Sequence, residues 1–189
     1  MSDTASASPS PSHSARAAVL SEAVSACKLL TARYLVGFND VTHVRQTPDL
    51  PNHLAWILGH CALTMHRVAG MIDGGGLPVA HFVAGDGFKG SRERGVFDIE
   101  AVAYGSRPEE RHDRFPKLDR CIDIFNAAAD RLASAVAALP DTELDRPIRW
   151  GTAEMPLRML IVRMVFHNGF HTGQIADTRR ALGFKPALA

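Results

Sequence analysis

The chain has 189 residues, 46% of them hydrophobic, enough for one domain with a sizeable core. Twenty-one basic residues against twenty acidic ones leave a formal charge of +1, so no large field recommends a nucleic acid or an anionic membrane surface as partner. The three cysteines, Cys27, Cys61 and Cys121, are odd in number, far apart and set on apolar helical stripes; this excludes a disulfide framework and reads as reduced core residues of a cytoplasmic protein.

Residues 1–14 are rich in Ser, Ala and Pro and lack a basic stretch followed by an apolar one, so they are expected to form a disordered tail ahead of a single domain over 15–189. No run approaches the roughly 18 apolar residues of a membrane-spanning helix. From Ala15 to about Phe38, Leu20, Val24, Cys27, Leu30, Tyr34 and Leu35 recur at helical spacing, and Gly37, Asn39 and Asp40 stop the run. After a linker with Pro48 and Pro51, residues 52–73 carry a second stripe (Leu54, Ile57, Leu58, Cys61, Met65, Val68, Ile72) that ends at Gly74-Gly75-Gly76.

Residues 77–115 hold no sustained period. A connection that long is expected to contain short helices, with Ile99 to Tyr104 and Pro108 to Phe115 as candidate turns, or to act as a functional cover. Pro116 opens a third helix with Leu118, Ile122, Phe125, Ala129, Leu132, Val136 and Leu139 spaced alternately four and three. Residues 141–151 read as an irregular crossing. Pro156 then starts a fourth helix, which Gly183 ends before Pro186. The expected fold is all-α, a four-helix bundle with a long irregular connection between its second and third helices, and such bundles build sites from inward side chains on facing helices.

The fourth helix carries His167 and His171, one turn apart on one face and in line with Leu157, Leu160, Ile161 and Met164. Both imidazoles can reach one ion, but two alone make only half a metal site. On the second helix His60 lies at the border of the buried face. His53 shares its strip, yet seven residues is roughly 10.5 Å along a helix, too far for both to hold one ion at about 2.1 Å. His66 is turned away from that face, His13 is in the tail, and His43, His81 and His112 fall in linkers. Buried imidazoles without an acidic partner would be costly to charge, and as neutral rings they need something to bind.

The segment Asn52-His-Leu-Ala-Trp-Ile-Leu-Gly-His60, followed about a hundred residues later by His167-Asn-Gly-Phe-His171-Thr-Gly-Gln174, resembles the DinB/YfiT-like metalloenzyme family over roughly residues 15–185. The resemblance implies a divalent metal, often nickel or zinc, held by His60, His167 and His171. It also implies water or a low-molecular-weight thiol activated on a small-molecule substrate, as in hydrolases or thiol-dependent transferases. Relatives are frequently dimers, and the alanines of the third helix (Ala127 to Ala129, Ala133, Ala135, Ala137, Ala138) weakly favour a homodimer here. The long Gly-rich segment after the second helix departs from the commonest form of the family.

Gln174 shares the histidines' face and is a candidate to hydrogen-bond a ligand or a substrate. Asn168 is read as an interhelical contact and Trp56 as core; no acid on either helix qualifies as a general base. The rival reading is a non-catalytic helical domain that binds a ligand or partner around a structural or vestigial metal. A ferritin-like di-iron site is disfavoured because none of the three histidines has a glutamate three residues before it.

Overall fold

A computed structural model describes residues 14–85 and 91–187. The expected tail lies outside the described residues except for Ser14, which caps the first helix by accepting the Ala17 N–H at 3.0 Å. The described residues hold seven helices: α1 (Ala15–Leu35), α2 (Leu54–Asp73), α3 (Ser91–Arg94), α4 (Ile99–Val102), α5 (Leu118–Ala137), α6 (Asp141–Leu144) and α7 (Leu157–Ala181). Two small ribbons accompany them. β1 (Phe82–Val83) pairs in parallel with β2 (Phe97–Asp98), and β3 (Pro147–Trp150) pairs antiparallel with β4 (Ala153–Pro156).

The four long helices are the four expected, with ends shifted by a few residues. Each of α1 and α2 packs against both α5 and α7, so the two helices that come first in the chain stand diagonally across the core. Val24, Leu58, Met65, Ile124, Leu132, Leu160 and Ile161 fill the space between them. No described helix is long and apolar enough to cross a membrane.

Four expectations need correction. The structure is mostly rather than wholly helical, because residues 147–156 fold as a hairpin that turns at Gly151 (φ +61°) with Pro147 and Pro156 facing each other at its open end. Prolines are tolerated there because the end of a two-stranded ribbon demands no further ladder donor. Pro108 to Phe115 forms turns and no helix. On α1 the inward row is Ala17, Val24, Cys27 and Thr31, and Leu30, one position off that row, is 52% exposed. Finally, α2 carries no simple stripe: every position from Leu54 to His66 is buried, since α5, α7 and α4 cover it from three sides.

Among the described residues between α2 and α5, β1, β2 and α4 form a packed cover. Phe82 and Phe97 stack with ring centroids 5.9 Å apart, and the turn into α4 is capped by Asp98, which accepts the Glu100 N–H at 2.9 Å. Gly59 makes this docking possible. A Cβ there would stand 2.7 Å from the Phe97 ring and 2.8 Å from Val102, both fully buried, so only glycine lets the cover sit this close to α2.

Candidate metal centre

α2 and α7 run antiparallel: Asn52 meets Gln174 near one end, and His60 meets His167 and His171 farther along. One nitrogen from each of these three rings lies within 4.8 Å of the other two. An equilateral triangle of that side has its centre about 2.8 Å from each corner, close to the 2.0–2.1 Å of a metal–imidazole bond, so small ring rotations bring all three to one ion. Among the described residues no other group of three or more His, Cys, Asp or Glu side chains converges in this way.

The hydrogen bonds around the rings decide which nitrogens face inward. His60 Nδ1–H donates to the Val102 carbonyl at 2.8 Å, which leaves its Nε2 lone pair free. His171 Nδ1–H donates to Gln174 Oε1 at 2.9 Å, and the same oxygen accepts from Asn52 Nδ2 at 3.1 Å. Such outer contacts fix tautomer and ring angle. Trp56 stacks on His60 at 4.5 Å and 10°, itself anchored by its indole N–H donating to Ser106 Oγ at 2.8 Å.

His167 differs from the other two. Its Nε2 stands 3.1 Å from His60 Nε2, and its buried Nδ1 has no partner. Because His60 keeps its proton on Nδ1, the contact requires His167 to donate from Nε2, which strands a lone pair on Nδ1. Were the rings to hold a cation, His60 and His167 would each offer it an Nε2 lone pair, and the His167 proton would sit on Nδ1.

All three rings are held neutral. Burial pushes His167 down to about 3, with the neighbouring His171 and His60 adding to the effect, the Asn168 side chain opposing it and Arg163 contributing more weakly. Burial brings His171 to about 4, against the raising effect of Gln174. Burial also lowers His60, opposed by the Val102 carbonyl and assisted by Arg67. Neutral imidazoles are the metal-binding form, and the donor set fits a divalent cation.

His13 lies outside the described residues, and His43, His53, His66 and His81 have other work. His53 is the N-cap of α2, accepting the Trp56 N–H on Nδ1 at 3.1 Å and donating to the Glu109 carbonyl at 3.2 Å. His66 pairs with His81 at 3.1 Å on the side of α2 near Arg131, and His43 reaches the Pro116 carbonyl at 2.9 Å. Asn168 bonds across to Met65 Sδ at 3.2 Å, as its place between helices suggests. Sequence reasoning did not find Val102, Asn52, Arg67 or Arg163. The first acts through its backbone and carries no signature, whereas the arginines stand at helical spacings from His60 and His167 that the sequence does contain.

A conserved protein from Enterococcus faecalis has a similar crystal structure, with a TM-score of 0.68 at 16% identity over 87% of this chain and 96% of that one. At that identity the likeness speaks for the fold alone. No curated protein matches the chain. The sequence profile of the DinB superfamily matches residues 26–175, a span that runs from α1 through α2 and α5 to Ile175 and takes in all three clustered histidines, and the chain belongs to that superfamily.

Proposed function

We propose that His60, His167 and His171 hold a divalent transition metal, nickel or zinc, and that the protein is a metal-dependent enzyme of hydrolase or thiol-transferase type acting on a small molecule. The observation that carries this reading is the convergence of three neutral imidazoles, two of them with fixed tautomers, with no carboxylate or thiolate among the described residues completing the group. Structural zinc is usually closed by four protein ligands, whereas three leave room for a reactant. Bound there, such an ion supplies Lewis acidity that lowers the pKa of water or of a thiol toward neutrality.

The chain's own residues contribute placement. Val102, Gln174 and Asn52 hold two rings in their metal-binding tautomer, and Trp56 and the cover keep bulk water from the His60 side. Cys27, Cys61 and Cys121 are buried, and burial pushes all three thiols up. A thiolate at this site would therefore come from a low-molecular-weight cofactor. Cytoplasmic placement accords with three unpaired cysteines. Assembly as a homodimer finds support in an exposed row along α7, Met159, Val162, Phe166 and Phe170, while Ala128, Ala129 and Ala133 of α5 are buried in the chain's own core.

Elemental analysis of protein expressed in metal-replete medium tests the proposal. About one ion per chain is expected, falling to near zero in His167→Ala and His171→Ala. Absence of a stoichiometric ion from the wild type would end the metalloenzyme reading. A retained ion with no turnover on thiol-transfer and ester panels, and with a lower melting temperature on its removal, would mark a non-catalytic binding domain instead.

A further inference from the structure

His60 and His167 form one wall of a cavity of about 680 Å³ between α2, α7 and the β3–β4 hairpin. Leu63, Met71, Met164 and Trp150 give it an apolar lining, and no Asp or Glu lines it. Two arginines do: Arg67 from α2 and Arg163 from α7. Both are exposed, and neither makes a hydrogen bond or ion pair with another described residue.

Their positions are coordinated. Arg67 lies seven residues after His60 and Arg163 four before His167, so each stands near its own histidine's helical strip. Because the two helices are antiparallel, both arginines are displaced toward the same end of the cavity, by roughly 10 Å and 6 Å at 1.5 Å per residue. A divalent ion would add its charge to theirs, and three neutral imidazoles cancel none of it. A cleft with walls of low polarity and charge of one sign concentrates counter-charge, and guanidinium groups pair well with carboxylate and phosphate.

We infer that this cavity takes a small organic anion, its apolar body against Leu63, Met71, Met164 and Trp150 and its carboxylate or phosphate at Arg67 and Arg163. The reacting end then lies at the histidines, roughly 6–10 Å from the charged end. This assignment of a substrate class rests on the metalloenzyme reading for its chemistry, but its binding test does not.

Calorimetric titration of the full chain with 4-phenylbutyrate, 3-phenylpropyl phosphate and the neutral 4-phenylbutanamide supplies the test, with metal content measured in every sample. At least one anion should bind roughly tenfold or more tightly than the amide, the tighter one naming the charged group, and Trp150 fluorescence should change with it. Arg67→Gln and Arg163→Gln should each weaken the anion by roughly tenfold, leaving the metal content and amide binding unchanged. Equal affinity for acid and amide would overturn the inference. So would anion binding that survives both substitutions, because the anion would then sit on the ion itself or elsewhere. A wild type that lacks metal yet keeps the arginine-dependent preference would sink the metalloenzyme reading and leave this one standing.

Discussion

Gln174 does for His171 what the Val102 carbonyl does for His60: each accepts the Nδ1 proton and so presents Nε2 to the cluster. Removing that acceptor while keeping the ligand should loosen the ion. Gln174→Leu is expected to lower metal affinity about 10–100-fold in a competitive chelator titration, with far-UV circular dichroism unchanged. A second residue-scale outcome concerns His53, whose burial brings it to about 4. The folded state keeps this ring neutral, whereas the unfolded chain takes up a proton near 6.5, so stability is full above pH 6.5 and falls as the pH drops toward 4. By pH 5 the loss relative to alkaline pH is about 2 kcal/mol from this one group. In metal-free protein, His53→Asn, which preserves a capping side chain, should be less stable at pH 8 but show a shallower decline in urea midpoint on acidification. At this scale the three clustered histidines were legible because i, i+4 spacing and helical phase are written in residue order. Asn52 stood in the recognised motif, but its bond to Gln174 depends on the relative depth of two helices far apart in sequence, which no local pattern encodes.

Helices α5 and α7 could be read from their periodicity and bounding prolines to within about two residues at each end. The hairpin of residues 147–156 could not, because its alternation is short and its prolines look like breakers until they are seen facing each other at the ribbon's end. Nor could the single-turn α3, whose four residues fall below any period, whereas α4 lies inside the turn expected at Ile99 to Tyr104. What holds α4 in place is the contact at Gly59, and that glycine also governs the site one residue further on. Gly59→Ala should push Phe97 and Val102 off α2, since neither fully buried side chain has space to yield. We expect a loss of about 1–3 kcal/mol in denaturant unfolding. Because His60 would lose its acceptor, metal affinity should fall as well; an alanine variant with wild-type affinity would show that the cover is not needed to orient His60.

Across the whole molecule, the order of packing explains why the site lies where it does. With α1 and α2 on opposite corners, α2 and α7 become direct neighbours, and histidines separated by more than a hundred residues meet face to face. The same arrangement leaves one flank of α2 to be closed by the segment before α5, whose Val102 carbonyl accepts the His60 Nδ1 proton. Occupancy and closure are then thermodynamically linked: whatever binding energy an ion draws from a correctly aimed His60 must also hold the segment down, and the linkage is reciprocal. Amide hydrogen exchange in Ile99–Ala103 should slow when nickel or zinc is added, while the middle of α5, on the far side of the core, keeps its rate. The Ile99–Ala103 turn would thereby report whether the histidines are loaded.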